Sequence, residues 1–191
     1  YWPERFDLRG SLGSGRADPV TLPVSGDPMT VRAMTLNMVY DSAQGDSWTG
    51  RFDIQDLARP GLSVENLHLS GLGTITPGNG PDLGRFTASL IYGADGVALE
   101  SPDLSQAMGD TVVGTARLAR LEGEPLVLQN LTLSGAGLKA DGNAIIKGPD
   151  DRLWTRGEFS IEAEDFSRFS GLIGQDLAGR GQISVAGDVQ P

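Results

Sequence analysis

The residues able to do chemistry are few and scattered. One histidine, His68, and no cysteine leave nucleophilic and acid–base catalysis without convergent titratable groups, since the acidic residues fall about one per turn or strand. His68 has the parity opposite to Leu67 and Leu69 and is expected to face water. Asp150-Asp151, the group Glu162, Glu164 and Asp165, and Asp141-Gly142-Asn143 offer hard oxygen donors of the kind Ca²⁺ takes. None has the alternating-oxygen loop spacing of such a site, so they read as turn and cap residues. Gly71-Leu72-Gly73-Thr74-Ile75-Thr76 opens like a phosphate loop but lacks the third glycine and a following helix. Asn130-Leu131-Thr132 matches a glycosylation sequon, yet Asn66 occupies the same place in a related segment without one, which marks Asn130 as structural. The chain is expected not to be an enzyme and to hold no catalytic residue, metal or cofactor.

Composition narrows the partners. The 191 residues carry a formal charge of −10, and Trp2, Trp48 and Trp154 are dispersed without a basic stripe between them. A nucleic-acid partner is therefore not expected. The absence of cysteine suits a reducing compartment and a bacterial periplasm equally. A hydrophobic fraction of 39% supports a core, and 27 glycines imply many tight turns. No run approaches the roughly 18 apolar residues of a membrane span, and no signal sequence opens the chain, so this piece is expected to be soluble. It begins without Met at Tyr1-Trp2-Pro3 and stops at Val189-Gln190-Pro191 just after a strand-like run, which reads as a slice of a longer protein.

The elements that would position any site are strands. Apolar and polar residues alternate over 29–40, 48–54, 62–69, 85–92, 112–121, 126–133, 144–147, 153–163 and 181–189. A period of two means strands with one buried face. Turn signals fall between them at Gly78-Asn79-Gly80-Pro81, Ala94-Asp95-Gly96, Gly123-Glu124-Pro125, Asp141-Gly142-Asn143 and Gly148-Pro149-Asp150-Asp151, as in a meander. One helical segment starts at an Asp165 cap, aligns Phe166, Phe169, Leu172 and Ile173, and ends at Gly174; a weaker turn runs from Ser101-Pro102 to Met108-Gly109. The fold class is mainly β: a repetitive antiparallel sheet curled into an elongated half-open groove with one or two short helical turns.

Alternation slips at Ala33, near Asn66 and at Asn130, where bulges would restore one apolar face. Leu62 to Gly73 matches Leu126 to Gly137 at an offset of 64, with seven of twelve residues identical. Gly45-Asp46 aligns with Gly109-Asp110 at the same offset, and Asp103-Leu104-Ser105-Gln106 resembles Asp165-Phe166-Ser167-Arg168 at an offset of 62. The chain divides into an entry segment, 1–28, and one continuous repetitive groove, 29–191. Its units run approximately 45–108 and 109–174, with the next beginning near 175.

Parity assigns an inward apolar face. On the first strands it comprises Met34, Leu36, Met38, Phe52 and Ile54; next come Val64, Leu67, Leu69 and Leu90. Leu118, Leu128, Leu131 and Leu133 continue it, followed by Ile145, Phe159, Ile161, Ile183 and Val185. Too few helices exist to cover so long a meander, so the sheet must fold on itself or leave this face partly open. A trough lined by dispersed aliphatic side chains suits acyl chains.

The strand Leu62 to Gly71 with its copy, the turn Asp165 to Gly174 and the strand Leu177 to Gly187 together resemble the TamB family, translocation and assembly module subunits of the AsmA-like superfamily, over about residues 20–191. The resemblance implies a large periplasmic β-taco of a Gram-negative bacterium, anchored in the inner membrane by an N-terminal helix in the full-length protein. It implies phospholipid as cargo, a TamA-like outer-membrane barrel as partner, and no catalytic residue. Two alternatives use the same sheet: a scaffold or chaperone that receives nascent β-barrel strands at its edge or groove, and a β-repeat spacer with a filled core.

Overall fold

The computed structural model describes residues 4–13, 18–22, 27–78, 83–146 and 155–189. The strands are β1 (Arg5–Leu12), β2 (Val20–Leu22), β3 (Met29–Val31), β4 (Ala33–Asp41), β5 (Ser47–Arg59), β6 (Leu62–Pro77), β7 (Leu83–Asp95), β8 (Ala98–Leu99), β9 (Thr111–Arg120), β10 (Leu126–Gly135), β11 (Leu138–Ile146), β12 (Thr155–Ala163) and β13 (Gly181–Val189). Helical structure comprises α1 (Pro102–Met108), α2 (Ser170–Ile173) and 3-10 turns at Ser42–Gln44 and Phe166–Phe169. All strands join one antiparallel sheet in the order β1-β4-β5-β6-β7-β9-β10-β11-β12-β13, with β2, β3 and β8 as short side branches. The sheet does not close into a barrel; β1 and β13 form its margins. The turn signals at 79–81 and 148–151, Asp150, Asp151, Trp2 and Trp154 lie outside the described residues.

The fold is the expected one, and it extends into the entry segment. Phe6, Leu8 and Leu12 alternate with Arg5, Asp7 and Arg9, and β1 pairs along its whole length with β4. Asp141-Gly142-Asn143, expected as a turn, lies inside β11 and pairs with Ser160, Phe159 and Glu158. The reversal comes earlier, at Ala136 (φ 44°) and Gly137 (φ 79°), where two consecutive left-handed residues make a tight hairpin.

Ladder registers run straight across the sheet. Tyr40 pairs with Trp48, Trp48 with Gly73, Gly73 with Ala88, and Ala88 with Leu118. Paired residues share a face, so these define an inner face. Tyr40, at 0% exposed, and Trp48, Ile75 and Ala88 form one inner cluster joined by Phe6, Phe86 and Leu90. Val31, Leu57, Val64, Ala94, Val97 and Val112 form a second. A flat single layer cannot take a tyrosine wholly out of water, so the sheet must curl over this face. Burying two large aromatics contributes roughly 4–6 kcal/mol each, as an upper bound.

A crease makes the second cluster. Arg32 between β3 and β4, Asp56 on β5, Glu65 on β6 and Gly96 between β7 and β8 occupy consecutive in-register positions, as the flanking pairs Ala33–Gln55, Thr30–Ala58, Leu57–Val64, Asn66–Asp95 and Ser63–Ala98 require. Asp56 (φ 48°) and Gly96 (φ 66°) are left-handed, and Arg32 pairs with Asp56. Each strand changes parity at this line, so Leu57 and Val64 turn inward with Ile54 and Leu67. This crease accounts for the slips read at Ala33 and Asn66. The Asn130 slip is a separate bulge: its φ is 50° and the β10 register shifts between Leu128 and Leu131.

The matching segments at offset 64 run in opposite directions. β6 and β10 are three places apart in an antiparallel sheet, so the shared pattern is a property of single strands, not a translation of the fold. What does recur is a run of hairpin-connected strands followed by a helical turn: the long strands β5 to β7 before α1, and β9 to β12 before the turn at Phe166–Phe169. Left-handed glycines stand directly after such turns at Gly45 (φ 74°), Gly109 (φ 79°) and Gly174 (φ 69°). Asp41 and Asp165 cap their turns through Ala43 N at 3.0 Å and Ser167 N at 2.9 Å.

Candidate functional site

The inner face gathers nearly all the residues assigned to it by parity. Met34, Leu36 and Met38 pair with Ile54, Phe52 and Gly50, and Ile54 and Phe52 continue to Leu67 and Leu69. Leu90 pairs with Gly71, Leu118 with Ala88, and Leu128 with Leu118. Leu131 and Leu133 pair with Gly142 and Ala140, which pair in turn with Phe159 and Ile161. Ile183 pairs with Ile161, and Val185, whose side chain is not described, with Phe159.

Ile145 is the exception. It pairs with Val127 and Arg156, one step out of phase with inward Ala144, and is 40% exposed on the outer face. Two consecutive isoleucines, Ile145-Ile146, left its parity ambiguous, and the misplaced turn at 141–143 removed the residues that would have settled it.

Burial differs along this face. Val64 is sealed under the crease at 6% exposed, thirteen of the others are half-buried, and Phe159 and Ile183 are 36% and 48% exposed near the β13 margin. A sandwich core of comparable composition would bury such residues fully. Parity also missed inner-face residues: Phe6, Leu8, Tyr40, Trp48, Ile75 and Phe86. Alternation in 5–12 was the available signal for the first two.

Glycines let aromatics reach across the sheet. Trp48 lies over its cross-strand partner Gly73, and its Nε1 donates to Thr87 O at 3.1 Å, while Thr74 N donates to Thr87 Oγ1 at 3.0 Å. A Cβ on Gly73 would collide with Thr87 O. Tyr92 repeats the arrangement: it lies over Gly114, its hydroxyl donates to Thr132 O at 2.7 Å, and Thr115 N donates to Thr132 Oγ1 at 3.0 Å. Burial pushes the Tyr92 phenol above its ordinary pKa. Thus Gly73-Thr74 with Thr87, and Gly114-Thr115 with Thr132, each form an aromatic clasp.

On the outer face, His68 is exposed, as its parity suggested. Its Nδ1 lies 2.6 Å from Asp53 Oδ1, and Arg51 Nε lies 3.0 Å from the other oxygen. Hydrogen bonds from Arg51 and then His68 hold the Asp53 carboxyl below its usual value. Beside them, Ile91, Val113, Thr115 and Thr132 help line an open depression of about 660 Å³. Among the described residues no three His, Cys, Asp or Glu side chains cluster as metal ligands, and no helix is long and apolar enough to cross a membrane.

Fold and face together define the class: an open, curled antiparallel β-sheet with a half-covered apolar inner surface. No family model, curated protein or solved structure matches the chain.

Proposed function

We propose that the chain is a non-enzymatic segment of a TamB-like periplasmic protein of a Gram-negative bacterium, anchored in the inner membrane in its full-length form. Its inner face carries phospholipid acyl chains between the two membranes, with a TamA-like barrel as outer-membrane partner. The observation that carries this reading is the inner face itself: thirteen aliphatic and aromatic side chains on one face, half-buried and, among the described residues, with no second layer of sheet over them. Two acyl chains of about thirty methylenes, at roughly 0.8 kcal/mol each, face a barrier on the order of 20 kcal/mol to crossing water. A continuous apolar surface lowers that barrier. Aliphatic side chains without a charged anchor bind weakly and uniformly, so cargo is not trapped.

A scaffold for nascent β-barrel strands is the second reading, favoured by the exposed inner-face side chains Phe159 and Ile183. Photocrosslinking residues at inward Phe159 and outward Glu158, in the full-length parent in its native envelope, separate the readings. Phospholipid adducts at Phe159 and not at Glu158 support the conduit. Adducts with barrel proteins and no lipid support the scaffold, and intramolecular adducts alone at Phe159 refute both in favour of a spacer.

A further inference from the structure

The outer face carries an exposed apolar strip. Leu72, Ile91 and Val113 are 61%, 64% and 51% exposed on the neighbouring strands β6, β7 and β9. Ser70 pairs with Ile91 and Gly93 with Val113, so the three stand at successive diagonal positions. Single exposed apolar side chains are ordinary, whereas three in one line form a patch. The strip lies on central strands, so it does not depend on where the sequence begins or stops.

Two rows of paired residues cross the strip from β5 to β11. One runs Arg51–Ser70–Ile91–Thr115–Thr132–Asp141. The other, one pleat nearer the crease, runs Asp53–His68–Gly93–Val113–Ser134–Lys139. The two ends of each row are opposite in charge: Arg51 against Asp141, and Asp53 against Lys139. A two-fold axis parallel to the strands, between β7 and β9, turns a second copy over so that outer face meets outer face and each row faces its own reverse. Arg51 then meets Asp141 of the second copy, and Asp53 meets Lys139. Exposed Val113 meets Gly93, which lies without a side chain in the outer depression, and Ile91 meets Thr115. Every contact is made twice. Moving the axis by one strand sets Asp53 over Val113 in one direction and Ile91 over Asp141 in the other, so the charges select this placement.

We propose that two copies of this chain pair through this surface, outer face to outer face, stacked as two sheets about 10 Å apart. The contact is isologous and closes at the dimer. It leaves the inner face free and stands independently of what the groove carries.

Sedimentation should show a monomer–dimer equilibrium for the unmodified chain and a folded monomer for Ile91→Asp, a change at an exposed site. Arg51→Glu and Asp141→Arg should each weaken self-association by roughly tenfold. An equal mixture of these two variants should associate as tightly as the unmodified chain, because each mixed dimer keeps one native Arg51–Asp141 contact and forms a second with the signs exchanged. The chain has no cysteine, so the register can be read by crosslinking. Oxidation of Gly93→Cys with Val113→Cys should give mixed disulfides, counted by mass, well above those of Gly93→Cys with Ile145→Cys, an outward site three strands away. An unmodified chain that stays monomeric up to its solubility limit overturns the proposal. So does an Ile91→Asp chain that associates as strongly, a variant mixture no tighter than its components alone, or equal yields of mixed disulfide in the two pairings.

Discussion

The indole nitrogen of Trp48 on β5 hydrogen-bonds the carbonyl of Thr87 on β7, two strands away, at 3.1 Å. The strand between contributes Gly73, over which the ring lies, and Tyr92 makes the same reach over Gly114 to Thr132. Each clasp ties three strands through one side chain, a use of aromatics that helps fix the curl of a sheet with no opposing layer among the described residues.

Trp48→Phe keeps an aromatic ring but removes the indole N–H and part of a buried side chain, and is expected to cost at least about 1–2 kcal/mol by leaving a carbonyl unpaired and space unfilled. Gly73→Ala is expected to cost about 1–3 kcal/mol, since its Cβ meets Thr87 O and the indole. Gly93→Ala, where a Cβ makes only ordinary contact with Val113, should stay within about 0.5 kcal/mol. Urea midpoints of the three variants decide this.

Tyr92→Phe should lose about 1 kcal/mol with the Thr132 hydrogen bond. The folded phenol titrates above its ordinary value of about 10, so its contribution is complete below that pH and is lost as pH rises through the folded value. Wild-type stability should therefore fall at alkaline pH more steeply than that of the variant, measured by unfolding at pH 7 and above pH 10.

Asp165 accepts from Ser167 N, and this bond holds its carboxyl below the usual range. Its contribution is present above the ordinary carboxylate value of about 3.9 and is lost as pH falls through the lower folded one. Asp165→Ala should melt earlier than wild type at pH 7, and the gap should narrow on acidification. A gap unchanged at pH 3 would refute the charged cap.

Asn130, left-handed at the β10 bulge, tolerates glycine and rejects β-branched residues. Asn130→Gly is expected to be neutral or slightly stabilising, and Asn130→Val to cost about 1–2 kcal/mol. Thermal melts distinguish the pair.

Parity itself can be tested at Leu131 and Ile145. Leu131→Ser should cost about 1–3 kcal/mol through lost apolar burial, whereas Ile145→Ser should remain within about 0.5 kcal/mol. Equal losses would place Ile145 inside.

Alternation of period two carried the strands and most of the inner face, because a pleated backbone sends successive side chains to opposite sides whatever surrounds them. Capping signals, equally local, reached Asp165 and Gly174, whose cap and left-handed turn involve neighbours in the chain. It failed where one pattern serves two ends: Ser70-Gly71-Leu72-Gly73 stays extended beneath Trp48, while Ser134-Gly135-Ala136-Gly137 turns back as a hairpin. Glycine permits both, and only a partner from a distant strand selects between them.

The sequence by itself therefore determined an antiparallel meander with one apolar face and short helical turns. Tertiary structure alone decided the crease through Arg32, Asp56, Glu65 and Gly96, the clasps, the outward place of Ile145 and the opposite directions of β6 and β10. Each of these depends on which strands become neighbours, and pairing between strands far apart in the chain is set by packing over the whole sheet, which no local period encodes.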